Sequence, residues 1–163
     1  GCGSPPLFDG PPTFSAFDVF CGYLLLDACV ANTDRHSENW SVLVAADVTR
    51  SLMASYDHAS SFGFGLTDEK REHILGNDKL FHRWSQRGFA QRFEGGKKIT
   101  LVEHAHSALA MVDERVRQFW LDQLERTTPD KVDAILARVP TMSQVARTFC
   151  GRLFRINRER LLS

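Results

Sequence analysis

Apolar residues recur at three- and four-residue spacing through Phe17, Phe20, Cys21, Leu24, Leu25 and Ala28. That spacing is the stripe of a helix that buries one face. Thr13 or Ser15 supplies an N-cap, so the pattern predicts a helix from there to about residue 30. The next eight residues, Asn32-Thr33-Asp34-Arg35-His36-Ser37-Glu38-Asn39, have no apolar period and read as a loop. Two short β-prone runs, residues 40–44 and 51–56, then flank the polar residues 45–50, the signature of a hairpin. Residues 57–65 (Asp-His-Ala-Ser-Ser-Phe-Gly-Phe-Gly) are small, polar and glycine-containing, and form a second loop.

Beyond that point the pattern is helical. Thr67 opens a short helix with Asp68 and Glu69 in its first turn, where acids suit the helix dipole. Residues 76–98 leave the period ambiguous: Phe81, Trp84, Phe89 and Phe93 are spread through them, and Gly95-Gly96 reads as a flexible joint. Thr100 with Glu103 makes a capping box for a helix to about residue 112, and Asp113 caps another to residue 126. Thr128-Pro129 places proline at the first helical position of a segment ending before Pro140. Ser143 opens the last helix, with Val145, Ala146, Phe149, Leu153 and Ile156 on one face. Ahead of all this, residues 1–12 carry Pro5, Pro6, Pro11 and Pro12 and predict an extended arm. The expected architecture is mainly α: an arm, then residues 13–163 as one helical bundle with a single small β-hairpin.

Composition narrows the function classes. Twenty basic residues balance 20 acidic ones, so the chain has no bulk field for nucleic acid or an anionic membrane. The longest greasy stretch, residues 19–31, is interrupted by Gly22 and Asp27 and falls short of the ~20 residues of a membrane span. The four cysteines, Cys2, Cys21, Cys29 and Cys150, form no Cys-x-x-Cys pair and read as buried thiols of a cytoplasmic protein. His104 and His106 are two apart on a helix and point to different faces, so they make no metal pair. Arg147, Arg152, Arg155, Arg158 and Arg160 on the last helix read as a solvated face.

The chemistry lies in the two loops. Asp34 and Asn39 are five apart immediately before the first strand, and Asp57 immediately follows the second. The start of one hairpin strand and the end of the other share its open end, so Asn39 and Asp57 are brought together with Asp34 on the same rim. One carboxylate and one amide oxygen suit a hard cation such as Mg²⁺, which keeps waters and substrate phosphates in its shell. A second carboxylate beside it can orient a hydroxyl and accept its proton. Asp-x₄-Asn alone is ordinary turn chemistry; the apolar helix before it, the hairpin and Asp57 make it informative. Protein kinases use the same order of catalytic Asp, Asn, hairpin and metal Asp. His36 anchors the loop or touches phosphates, Arg35 is a surface charge or a phosphate contact, and Gly63-x-Gly65 reads as a hinge.

These residues, Asn32 to Trp40 with the β run after them and Ser51 to Gly63, resemble the catalytic and metal loops of HipA-type serine/threonine kinases. The resemblance covers residues 14–65 well and the helical remainder more loosely. It implies a protein-kinase-like C-terminal lobe in which Asp34 is the base, with His36 beside it, and Asn39 and Asp57 hold Mg²⁺ and ATP. It further implies a protein substrate and leaves open an antitoxin-type protein partner. The order is Asp-Arg-His rather than His-Arg-Asp, and His58-Ala59 stands where protein kinases have Phe-Gly. The Asp-Arg-His-x-x-Asn string is also similar to phosphoinositide kinases, so a lipid or small-molecule substrate stays open, as does a non-catalytic partner-binding module. No lysine precedes Lys70, and no initiator methionine is present. The expectation is therefore a lobe whose ATP-clamping N-terminal partner lobe is missing, inactive by itself.

Overall fold

The computed structural model describes residues 1–93 and 99–163. The joint expected at Gly95-Gly96, with Lys97 and Lys98, lies outside the described residues.

Helix α1, Ala16–Val30, starts where Ser15 accepts the Asp18 amide while the Asp18 carboxylate accepts the Ser15 amide, a reciprocal cap. It buries Val19, Cys21, Leu24, Leu25, Asp27, Ala28 and Cys29, whereas Phe17 stays exposed. More of its circumference is covered than one stripe would need, because α1 is the central rod of the fold. It packs against α4 (Leu101–Leu109), α5 (Glu114–Arg126) and α7 (Gln144–Leu162). Trp120 of α5 donates its indole N–H to the Asp18 carbonyl at 2.7 Å. Gly22 leaves the room this ring occupies, since a Cβ there would lie 2.4 Å from it.

The hairpin follows. Strand β1, Val42–Val44, pairs antiparallel with β2, Arg50–Leu52, with Val42 opposite Leu52 and Val44 opposite Arg50. Its turn is held by Asp47, whose carboxylate accepts the Thr49 amide and hydroxyl at 3.0 and 2.7 Å. Those two bonds hold the Asp47 carboxyl below its ordinary pKa, the hydroxyl contributing most. On the far side of β2 the arm is tied down rather than loose. The Gly3 amide donates to Arg50 and the Leu52 amide to Gly3, while the Phe8 ring packs on Phe14, Phe119 and Trp120.

Helices α2 (Asp68–Leu75) and α3 (Asp78–Ser85) pack on α7 around Ile74, Phe81, Phe149 and Leu153. The α3 start was hidden in the ambiguous stretch, yet Asn77 caps it by accepting the Leu80 amide at 3.0 Å. Thr67, Thr100 and Ser143 cap α2, α4 and α7 as their positions predict. Helix α6 spans Pro129–Ala137.

The arginines of α7 are not the solvated face that the sequence predicts. Arg152 ion-pairs with Asp78 at 2.6 Å and lies over the Phe81 ring. Arg155 pairs with Asp133, and Arg158 donates to the Leu124, Glu125 and Thr127 carbonyls. Arg147 and Arg160 likewise reach carbonyls of other segments. The row stitches α7 to α3, α5 and α6, through ion pairs to Asp78 and Asp133 and through bonds to carbonyls at the ends of other helices. None of the described helices is long and apolar enough to cross a membrane.

Candidate active site

The two loops meet through one side chain. Arg35 is only 2% exposed, and its guanidinium grips Asp27 of α1 with two bonds, Nε to Oδ2 at 2.7 Å and Nη2 to Oδ1 at 2.8 Å. Its Nη1 donates both to the Asn39 carbonyl at 2.7 Å and to the Tyr56 carbonyl at 3.1 Å. Nη2 also reaches the Ser55 hydroxyl at 3.0 Å. The planar fork thus ties the end of the first loop, the start of the second and the central helix to one point. Both sequence readings of Arg35, surface charge and phosphate contact, are corrected: no part of the guanidinium is left over for a ligand.

Asp27 is 1% exposed and is held further by the Asn32 side-chain amide at 2.9 Å. A carboxylate so deeply buried needs this many donors to offset its lost hydration. Sequence reasoning missed it. The one hint was an acid inside an apolar helical stretch, which does not by itself name a partner.

Around this bolt the candidate residues take their places. Asn39, 4% exposed, donates its side-chain nitrogen to the Asp34 carbonyl at 2.6 Å. With Nδ2 committed, the amide oxygen is the atom left to act as a ligand. The Asp34 amide donates to the Asn32 side-chain oxygen at 3.3 Å, so both sides of Asp34 are pinned while its side chain stays 42% exposed. Asp57 directly follows Tyr56, whose carbonyl shares Arg35 Nη1 with the Asn39 carbonyl. It is exposed and adopts φ +56°, a left-handed backbone that Asp tolerates better than most residues. The Tyr56 hydroxyl donates back to the Glu38 carbonyl at 2.9 Å, a second tie between the loops.

His36 serves the loop locally: its Nδ1 accepts the Glu38 amide at 3.2 Å, and its carbonyl accepts the Asn39 amide. His58 turns inward rather than toward Asp57, with Nε2 3.1 Å from the Ser55 hydroxyl and Nδ1 3.8 Å from Asp27. Arg92 was not singled out from the sequence, yet its Nη2 lies 3.6 Å from Asp34 Oδ1. Both partners are largely exposed, and such pairs contribute about 0–1 kcal/mol, so Asp34 is easily released to another partner.

Among the described residues no group of three or more His, Cys, Asp or Glu could hold a metal ion. The donor set here is of another kind, one carboxylate from Asp57 and one amide oxygen from Asn39. That set fits Mg²⁺, which retains water and takes substrate phosphates rather than a full protein cage. Gly63 is not a hinge: its φ is +65°, and an added Cβ would lie 2.9 Å from the Trp84 ring, so the backbone is laid directly on the indole.

No family model matches the sequence, and a search of curated proteins finds no match. The fold does have a counterpart among solved structures. It is similar to the crystal structure of a Helicobacter pylori proinflammatory kinase, CtkA, with a TM-score of 0.70 and 19% identity. The match covers 90% of this chain and 50% of that one. Among the described residues, seven helices and one two-stranded hairpin make a mainly helical, kinase-like fold that spans half the length of the kinase it matches.

Proposed function

We propose that this chain is the catalytic lobe of a HipA-like, ATP-dependent kinase that phosphorylates serine or threonine on a protein. The observation that supports the reading is the Arg35 fork, which draws the Asn39 and Tyr56 carbonyls onto one nitrogen and so ties together the two loops that carry Asp34, Asn39 and Asp57. Phosphoryl transfer depends on positioning and charge neutralisation more than on covalent chemistry, and a rigidly tied pair of loops supplies the positioning.

In this account Asp34 orients the acceptor hydroxyl. The oxygen attacks the γ-phosphorus, its proton passes to the Asp34 carboxylate, and the bond from the γ-phosphorus to the leaving ADP oxygen breaks. Asn39 and Asp57 would hold Mg²⁺, which when bound would neutralise the phosphate oxygens. Arg92 exchanges Asp34 for the incoming anionic phosphate. The ATP-clamping lobe belongs to a segment or partner outside these 163 residues, since the first lysine is Lys70, on α2.

The test is transfer of radiolabel from ATP by the two-lobed protein. Asp34→Asn should lower transfer by about 10²–10⁴-fold with ATP affinity nearly unchanged, as for a positioned base. Asp57→Asn should weaken Mg²⁺-ATP binding as well as rate. Wild-type turnover in a normally melting Asp34→Asn protein sinks the assignment, and label appearing on lipid instead of protein redirects it to the phosphoinositide-type reading.

A further inference from the structure

Beside the catalytic rim lies a cavity of about 270 Å³ that no step above uses. Its walls include Thr33, Phe64, Gly65, Leu66, Trp84 and Arg87. Thr33 directly precedes Asp34, so the cavity opens next to the candidate base.

The walls are built in advance of any ligand. The Phe62 amide donates to the Val30 carbonyl at 2.7 Å, and the Leu66 amide to Gly63 at 2.9 Å. Phe62 and Gly63 are both left-handed, with φ +55° and +65°, which folds this loop back over Trp84. The indole is fixed in turn by an edge-on contact with Phe149, ring centroids 4.9 Å apart.

Size and charge define the occupant. Pockets that enclose a whole small molecule run to roughly 300–1,000 Å³, and this one lies just below that range, with room for one large side chain. Arg87, exposed, is the one charged residue lining it among the described residues. A multiply phosphorylated headgroup would need several cations there, whereas an aliphatic or aromatic side chain needs the apolar walls that Phe64, Leu66 and Trp84 provide. We infer that this cavity is a specificity pocket for one large apolar side chain of a peptide substrate, next to the serine or threonine that Asp34 engages. The inference rests on the kinase reading for its orientation, but the pocket itself is testable by binding.

Gly65 lines the cavity, and a Cβ added there meets no atom within 4 Å, so Gly65→Phe adds a ring at the cavity's edge with no clash at its Cβ. Phe64→Ala, at a residue 67% exposed, opens it with little cost to folding. Fluorescence polarisation would follow labelled peptides with one serine in an alanine background, Leu, Phe or Asp being moved through each flanking position. At one position Leu or Phe should bind the 163-residue chain about tenfold tighter than Ala, the gain expected from burying one such side chain, and Asp should bring none. Gly65→Phe should abolish that gain, and Phe64→Ala should reduce it. A flat scan, a Gly65→Phe protein of normal melting temperature that keeps the preference, or displacement of the peptide by inositol trisphosphate overturns the pocket. Pocket-dependent binding without transfer by the two-lobed protein refutes the kinase reading and leaves the pocket. Transfer indifferent to flanking residues and to Gly65→Phe refutes the pocket alone.

Discussion

Removing Arg35 should damage this protein more than removing any exposed arginine. Arg35→Ala deletes five hydrogen bonds, of which two are charge-assisted bonds to Asp27. What remains is a carboxylate 1% exposed, with the Asn32 amide at 2.9 Å and His58 at 3.8 Å as its neighbours. Breaking a buried pair in this way costs about 3–5 kcal/mol, chiefly because one charge stays buried without its counter-charge. Against a typical stability of about 5–15 kcal/mol, that is a large fraction. Urea unfolding at neutral pH, followed by circular dichroism, should show the loss as a lowered midpoint. Arg117→Ala, which breaks an exposed pair with Glu114, should stay within about 0.5 kcal/mol of wild type. The double variant Asp27→Leu/Arg35→Met should recover part of the loss, since no charge is then left buried, though the Asn39 and Tyr56 carbonyls still lack their donor. An Arg35→Ala protein as stable as Arg117→Ala would refute the bolt and, with it, the reason the two loops converge.

Two further outcomes test the packing. Gly22→Ala forces a methyl against the Trp120 ring, which the bond to the Asp18 carbonyl prevents from swinging aside. It should cost about 1–3 kcal/mol and lower Tm by roughly 2–4 °C per kcal/mol; an unchanged melt would show that the ring can move. Burial pushes the Cys21 and Cys29 thiols up to about 12, and raises Cys150 as well, so at pH 8 these groups stay protonated and unreactive. Only the half-exposed Cys2 should react quickly with a thiol reagent in the native protein, the other three following on unfolding; several fast thiols would contradict the burial.

Local signals were legible where one residue type does one job. Ser15, Thr67, Thr100 and Ser143 each start a helix at the expected place, because a hydroxyl that accepts an N3 amide is a short-range interaction. The hairpin and its open end were legible too, and Ser41 accepts the Met53 amide at 2.9 Å just beyond the paired strands. Asn77 carried an equally good cap, but the scattered aromatics after Gly76 masked the period of α3. Long-range partners were not legible. Nothing in the spacing of Asp27 and Arg35 distinguishes a buried ion pair from two surface charges. The α7 arginines looked solvated because most of their acceptors, the Asp78 and Asp133 carboxylates and the Leu124, Glu125 and Ser85 carbonyls, lie on other helices far along the chain. Arg92 was hidden for the same reason: its partner Asp34 is near only in the fold.

The proposal that Asn39 and Asp57 share one hard-cation site next to Asp34 is tested directly with Mn²⁺ in place of Mg²⁺, by paramagnetic broadening in NMR. Binding should be weak, because two protein oxygens leave most of the octahedral shell to water. The amide signals of residues 34–39 and 56–58 should broaden together at low Mn²⁺, and Asp57→Asn should remove the effect while the spectrum otherwise stays folded. Broadening confined to other acidic residues, or unchanged by Asp57→Asn, would contradict the site.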